Sequence, residues 1–152
     1  MDIVSHSEKD TFKIAAQIAQ KLKPGDILAL IGDLGSGKTV FVKGLARALG
    51  VKEAITSPTF VIAKEFAITK PQTSNLKSQN YGKNHLSLIH IDCYRIGMSD
   101  VESIGLMEYL DRDDAIVVIE WADRIEPLLP SRTKKMYFEN LGDNKRKIGV
   151  NV

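Results

Sequence analysis

The chain has 152 residues, a formal net charge of +2, 43% hydrophobic residues and one cysteine. That length suits one domain with its own core, and no apolar stretch is long enough to span a bilayer. The start, Met1-Asp2-Ile3-Val4, lacks the basic-then-apolar order of a secretory signal, and Cys93 has no partner for an intrachain disulfide, so the cytoplasm is the expected compartment.

Phe12 to Leu22 carries apolar residues at Phe12, Ala15, Ala16, Ile18, Ala19 and Leu22. This spacing predicts an amphipathic helix, ended by Pro24-Gly25. Ile27-Leu28-Ala29-Leu30-Ile31 then reads as a buried parallel strand. It runs into Gly32-Asp33-Leu34-Gly35-Ser36-Gly37-Lys38-Thr39, which fills every position of the phosphate-binding pattern G-x-x-x-x-G-K-[ST]. Glycines let backbone amides converge on phosphate oxygens. The expected contacts are the amides of Leu34, Gly35, Ser36, Gly37, Lys38 and Thr39. The Lys38 ammonium reaches the β- and γ-phosphates, and the Thr39 hydroxyl ligates Mg²⁺. Val40, Phe41, Leu45, Ala48 and Leu49 predict the following helix, with Gly50 as its stop. Strand, loop and helix thus occur in the order that delivers phosphates to a helix N-terminus.

Beyond that helix, Pro58 predicts a loop leading into a strand over Phe60 to Phe66. Thr56, Ser57 and Thr59 stand where many P-loop enzymes carry a nucleotide-sensing switch. Thr69 to Asn84 is a polar excursion. Leu86 to Asp92 and Ala115 to Trp121 predict strands, Val101 to Leu110 a helix, and Leu128-Leu129-Pro130 a turn. Met136 to Glu139 and Lys147 to Val152 predict a closing strand pair. The alternation gives an α/β fold, P-loop NTPase-like, with a mixed, mostly parallel sheet flanked by helices, and residues 1–152 as a single domain.

Phosphoryl chemistry also needs Mg²⁺ held opposite the loop and a water aligned for attack. Carboxylates at the C-terminal ends of neighbouring strands meet that need. Ile116-Val117-Val118-Ile119-Glu120 and Leu88-Ile89-His90-Ile91-Asp92 each run into one. Glu120 and Asp92 are therefore the candidate metal-side and catalytic acids, beside Lys38 and Thr39. His90 and Cys93 read as packing residues, Trp121 as packing beside the site, and Arg95 as paired with a nearby acid. From Asp92 to Glu126 ten acidic residues face three arginines, whereas Arg132 to Lys147 holds six basic residues against two acidic ones. That basic end has one aromatic pair, Tyr137-Phe138, and no base-stacking array, so it reads as solvated surface.

The phosphate loop, Thr56-Ser57-Pro58-Thr59-Phe60, His90-Ile91-Asp92-Cys93-Tyr94-Arg95 and Ile119-Glu120-Trp121 together resemble the bacterial TsaE family, also called YjeE. The resemblance runs from about Ser5 to Pro130. It implies a small ATPase that binds ATP or ADP with Mg²⁺ and serves the synthesis of N6-threonylcarbamoyladenosine beside the anticodon of tRNA. It implies action on the TsaB–TsaD complex, with TsaC or a relative supplying the threonylcarbamoyl-adenylate. tRNA is then met through that complex, and no membrane is involved. It also implies that Thr39, Asp92 and Glu120 surround Mg²⁺, that Thr56 to Phe60 form a switch-like loop, and that Tyr94, Arg95 and Trp121 support the site. Glu8 to Thr11 matches a segment near the adenine. The Thr69–Asn84 excursion and the end after Pro130 depart from the family pattern. No arginine stands out as a finger for the γ-phosphate, which fits slow turnover alone. Two other functions fit the phosphate loop: a small-molecule kinase, and an assembly module whose nucleotide need not be hydrolysed.

Overall fold

The central strands are apolar at almost every position because helices and loops cover both faces of the sheet. The structure is a computed structural model and describes residues 1–56, 62–69, 76 and 86–151. The expected switch residues Ser57 to Phe60 and most of the Thr69–Asn84 excursion lie outside the described residues. The strands are β1 (Asp2–Ser5), β2 (Ile27–Gly32), β3 (Ala63–Ala67), β4 (Ser87–Asp92), β5 (Ala115–Glu120), β6 (Lys134–Gly142) and β7 (Lys145–Asn151). They form a seven-stranded sheet in the order β1-β7-β6-β2-β5-β4-β3. The four central strands β6, β2, β5 and β4 are mutually parallel, and β3, β7 and β1 add antiparallel edges. The mixed, mostly parallel sheet is as expected.

Strand period sorts the core into two layers. Leu28 and Leu30 of β2, Leu88 of β4, and Ile116 and Val118 of β5 face helices α1 (Glu8–Ala19) and α2 (Lys38–Leu49). Ile27, Ala29, Ile89, Ile91, Val117 and Ile119 face the other side, with Leu106 and Leu110 of the short helix α3 (Leu106–Leu110) and with Ile125. The same parity has a functional consequence. His90 and Asp92 share the Leu88 face, and Glu120 shares the Val118 face, so all three project toward α2 and the loop before it.

Helix α1 starts before Phe12 because Ser7 caps it: its hydroxyl accepts the Asp10 amide at 3.1 Å. α1 and α2 approach closely at Gly44, where a methyl group would sit 2.9 Å from the Phe12 ring. Gly50 ends α2 in the left-handed conformation, as expected. The helix expected over Val101 to Leu110 is shortened to α3. Gly105 has φ +66°, and the preceding residues form turns after a 3-10 turn at Met98–Asp100. Val101, Leu106 and Leu110 are still buried, so the apolar signal reported burial rather than one continuous helix. The strand expected from Phe60 is described as β3 from Ala63. Leu128 ends a 3-10 segment (Ala122–Leu128), and the chain turns just after it, where Thr133 N donates to Pro130 O at 2.9 Å.

The closing strands are longer than expected and form one hairpin. Its turn, Asp143-Asn144, has positive φ at both residues (49° and 61°), a conformation that Asp and Asn tolerate. β1 was not anticipated. Its four residues follow the chain start and pair with β7, whose partner positions lie near the far end of the chain.

Candidate functional site

The phosphate loop leaves β2 beside β6. A methyl group on Gly32 would lie 2.2 Å from the Phe138 carbonyl oxygen, so only glycine fits there. Gly37, at the start of α2, has φ +97°. Whereas Ser7 caps α1, no side chain caps α2, so its first-turn donors are not answered by a capping residue. Ser36 N closes the turn onto Asp33 O at 3.2 Å, and Asn140 Nδ2 donates to Gly35 O at 3.3 Å. Leu34 is 77% exposed at the loop tip.

Lys38 is buried, and its ammonium donates to Gly32 O (2.6 Å), Asp33 O (2.9 Å) and Ser36 Oγ (3.3 Å). It also lies 4.0 Å from the centre of the Trp121 ring. Burial pulls its pKa below the ordinary value, opposed by the charges of Glu120, Asp123, Asp92 and Asp33. Trp121, expected to pack beside the site, lines the pocket from a left-handed turn (φ 57°) after β5, and its ring packs at a tilt against Tyr94 with centroids 4.9 Å apart. Arg124 lies over both rings.

The two candidate acids meet as parity dictates. Asp92 and Glu120 are register partners on β4 and β5. Glu120 is buried and accepts the Thr39 hydroxyl proton at 2.9 and 3.1 Å from its two oxygens. Its Oε1 also lies 2.8 Å from His90 Nε2. His90 is therefore packed, as expected, but its contact with Glu120 was not. The alternation His90, Asp92 on one strand was the available signal. Burial pushes the Asp92 carboxyl up, and the neighbouring Glu120 charge adds to this. A bond from Tyr94 N (2.9 Å) opposes it.

Lys38, Thr39, Asp92, Tyr94, Glu120 and Trp121 line one pocket of about 400 Å³ with Leu34, Gly35 and Gly37. Glu8 from α1 also lines it, where the family resemblance put an adenine-side segment. Thr56 is exposed and does not line it. Arg95 is exposed and pairs with no described acid, contrary to expectation. Three of the six basic residues at this end lie in ion pairs: Lys134 with Asp26, Lys135 with Glu126 and Lys147 with Asp2. Arg146 departs from the solvated-surface reading. It is 8% exposed and lines this pocket. Its alternation with Ile148 and Val150 marks the buried face, but only the sheet order brings β7 to the loop.

Among the described residues no three His, Cys, Asp or Glu side chains form a metal cluster. Mg²⁺ takes few protein ligands and keeps water and phosphate oxygens. The all-oxygen set of Thr39, Asp92 and Glu120 fits such an ion. No helix among the described residues is long and apolar enough to cross a membrane.

The structure is similar to the crystal structure of Bacillus subtilis YdiB, with a TM-score of 0.68 and 34% sequence identity over 97% of this chain and 82% of that one. The P-loop NTPase-like fold expected from the sequence is thus the one observed. Among curated proteins, the tRNA threonylcarbamoyladenosine biosynthesis protein TsaE of Bacillus subtilis is 38% identical over 92% of this chain and 78% of its own length. Its namesake in Aquifex aeolicus is 38% identical over 98% and 94%. The profile of the family described as threonylcarbamoyl adenosine biosynthesis protein TsaE matches residues 5–148. The chain belongs to the TsaE family.

Proposed function

We propose that this chain is the single-domain, Mg²⁺-dependent ATPase component of the machinery that makes N6-threonylcarbamoyladenosine in tRNA, acting on the TsaB–TsaD complex. One observation carries the reading: Lys38, Thr39, Asp92 and Glu120 converge on one pocket at the phosphate loop. Family membership supports the tRNA-modification role.

The residues divide the work. The loop amides and the start of α2 bind phosphate oxygens, and Lys38 exchanges its carbonyl partners for the β- and γ-phosphates. Bound Mg²⁺ would supply charge neutralisation on the β- and γ-oxygens, held by Thr39 with Asp92 and Glu120, directly or through water. Glu120 is oriented by Thr39 and His90, and either it or Asp92 aligns the attacking water. Trp121 and Tyr94 wall the pocket and limit water access. Among the described residues, no arginine besides Arg146 lines the pocket. A missing finger costs about 10³–10⁵ in rate, so turnover is slow alone and rises when partners complete the site.

The test is Lys38→Ala in a reconstituted modification assay. The variant is expected to lose ATP turnover, bind nucleotide weakly and fail to support modified tRNA. Unchanged turnover would sink the site assignment.

A further inference from the structure

Arg146 is a buried cation without an anion. The residue is 8% exposed, its Nη1 has no hydrogen-bond partner, and no described carboxylate pairs with it. Burying an unpaired charge is costly, so such groups occur where a ligand supplies the counter-charge. Its location sharpens this. A methyl group on Gly37 would lie 2.7 Å from Arg146 Nη1 and 2.8 Å from its Cδ, so the guanidinium rests against the start of α2. That end of a helix is electropositive, and Lys38 follows immediately. Two cations at a positive helix end repel one another until an anion of several charges arrives.

The flank decides which part of the anion Arg146 meets. Asp92 and Glu120 reach the loop from β4 and β5, on one side of β2. Arg146 comes from β7 and Asn140 from β6, on the other side. A polyphosphate lying along the loop keeps its reacting end by the acids and its nucleoside end by Arg146. Glu8 lines the same pocket.

We propose that Arg146 is a nucleotide-binding residue whose guanidinium donates to the α-phosphate. The proposal rests on the nucleotide reading of the pocket. A guanidinium suits phosphate better than ammonium does, through its fixed fork of donors.

The test is calorimetric titration of ATP and of ADP into the parent protein, Arg146→Gln and Arg146→Lys, with thermal melts of each without nucleotide. Arg146→Gln is expected to weaken ATP and ADP by the same factor, about ten- to hundredfold, and Arg146→Lys by less. Nucleotide-free Arg146→Gln is expected to melt at or above the parent, because an uncompensated charge is gone. A loss confined to ATP would place Arg146 at the γ-phosphate and overturn the proposal. Unchanged affinities with a lowered melting temperature would make it a structural cation and overturn it too. A parent protein that binds neither nucleotide would instead remove the nucleotide reading itself, and this assignment with it.

Discussion

Replacing Gly32 by alanine tests whether the close approach of β2 to β6 sets the phosphate loop. The added methyl would lie 2.2 Å from the Phe138 carbonyl oxygen and 3.0 Å from both Phe138 Cβ and Ser36 Oγ. Contacts under 3.0 Å are essentially not seen for Cβ atoms, so the backbone must open by at least 3.0 − 2.2 = 0.8 Å at this point. The obstacle is a strand carbonyl and cannot rotate away as a side chain would. Overpacking of this kind costs about 1–3 kcal/mol. At about 2–4 °C per kcal/mol for a chain of this size, the melting temperature should fall by roughly 2–12 °C. The same shift moves the loop that Lys38 grips through Gly32 O. A displacement near 1 Å costs about 10²-fold in rate. Thermal melting and ATP turnover, measured on the same preparation, read both effects. A Gly32→Ala protein that melts and turns over like the parent would refute the reasoning, since it would mean that the loop absorbs the methyl without cost.

Three further outcomes follow from the packing and the charges. Cys93 is buried, and burial, with the nearby Asp92 and Asp123 charges, pushes its thiol up to about 12. A thiol reagent at about pH 8 should leave the folded protein unlabelled and label it fully in denaturant; rapid labelling of the folded protein would contradict the burial. The Ser87 hydroxyl and Arg112 hold Glu65 below its ordinary 4.5, and Arg112 holds Asp114 below 3.8. These acids have lowered folded pKa values, so their stabilisation is present above those ordinary values and is lost as pH falls through the lowered ones. Arg112→Ala should flatten the acid limb of the stability curve below about pH 4.5 while changing neutral stability little, because the ion pair is partly exposed; an unchanged acid limb would argue against the pairing. Gly44→Val should destabilise by about 1–3 kcal/mol in chemical denaturation, since even a single methyl would meet the Phe12 ring at 2.9 Å and its Cα at 3.0 Å; parent-like stability would show that α1 can move away.

Much of this arrangement was legible because its causes are local. The phosphate loop, the strand before it and the helix after it are fixed by residues within one contiguous stretch. Glu120 and Asp92 were legible because each ends an apolar run, and the ends of central parallel strands point to one edge. His90 was half-legible: its alternation with Asp92 puts it on the same face, but its bond to Glu120 depends on β4 lying beside β5. Arg146 was half-legible: alternation with Ile148 and Val150 puts it on the buried face of β7 and Lys145 and Lys147 on the other, but only the long-range order of the sheet brings that face to the loop. The helix expected over Val101 to Leu110 failed for another reason. Its apolar spacing was real, but Gly105 takes a left-handed turn that the spacing does not reveal.

The most direct measurement is ATP turnover by the purified chain, alone and with TsaB–TsaD and tRNA. A partner-gated ATPase predicts slow turnover alone, a clear rise with the partners, and loss of both in Lys38→Ala. Turnover that ignores the partners, or transfer of the γ-phosphoryl group to a small hydroxyl compound, would contradict the account and leave only a nucleotide site.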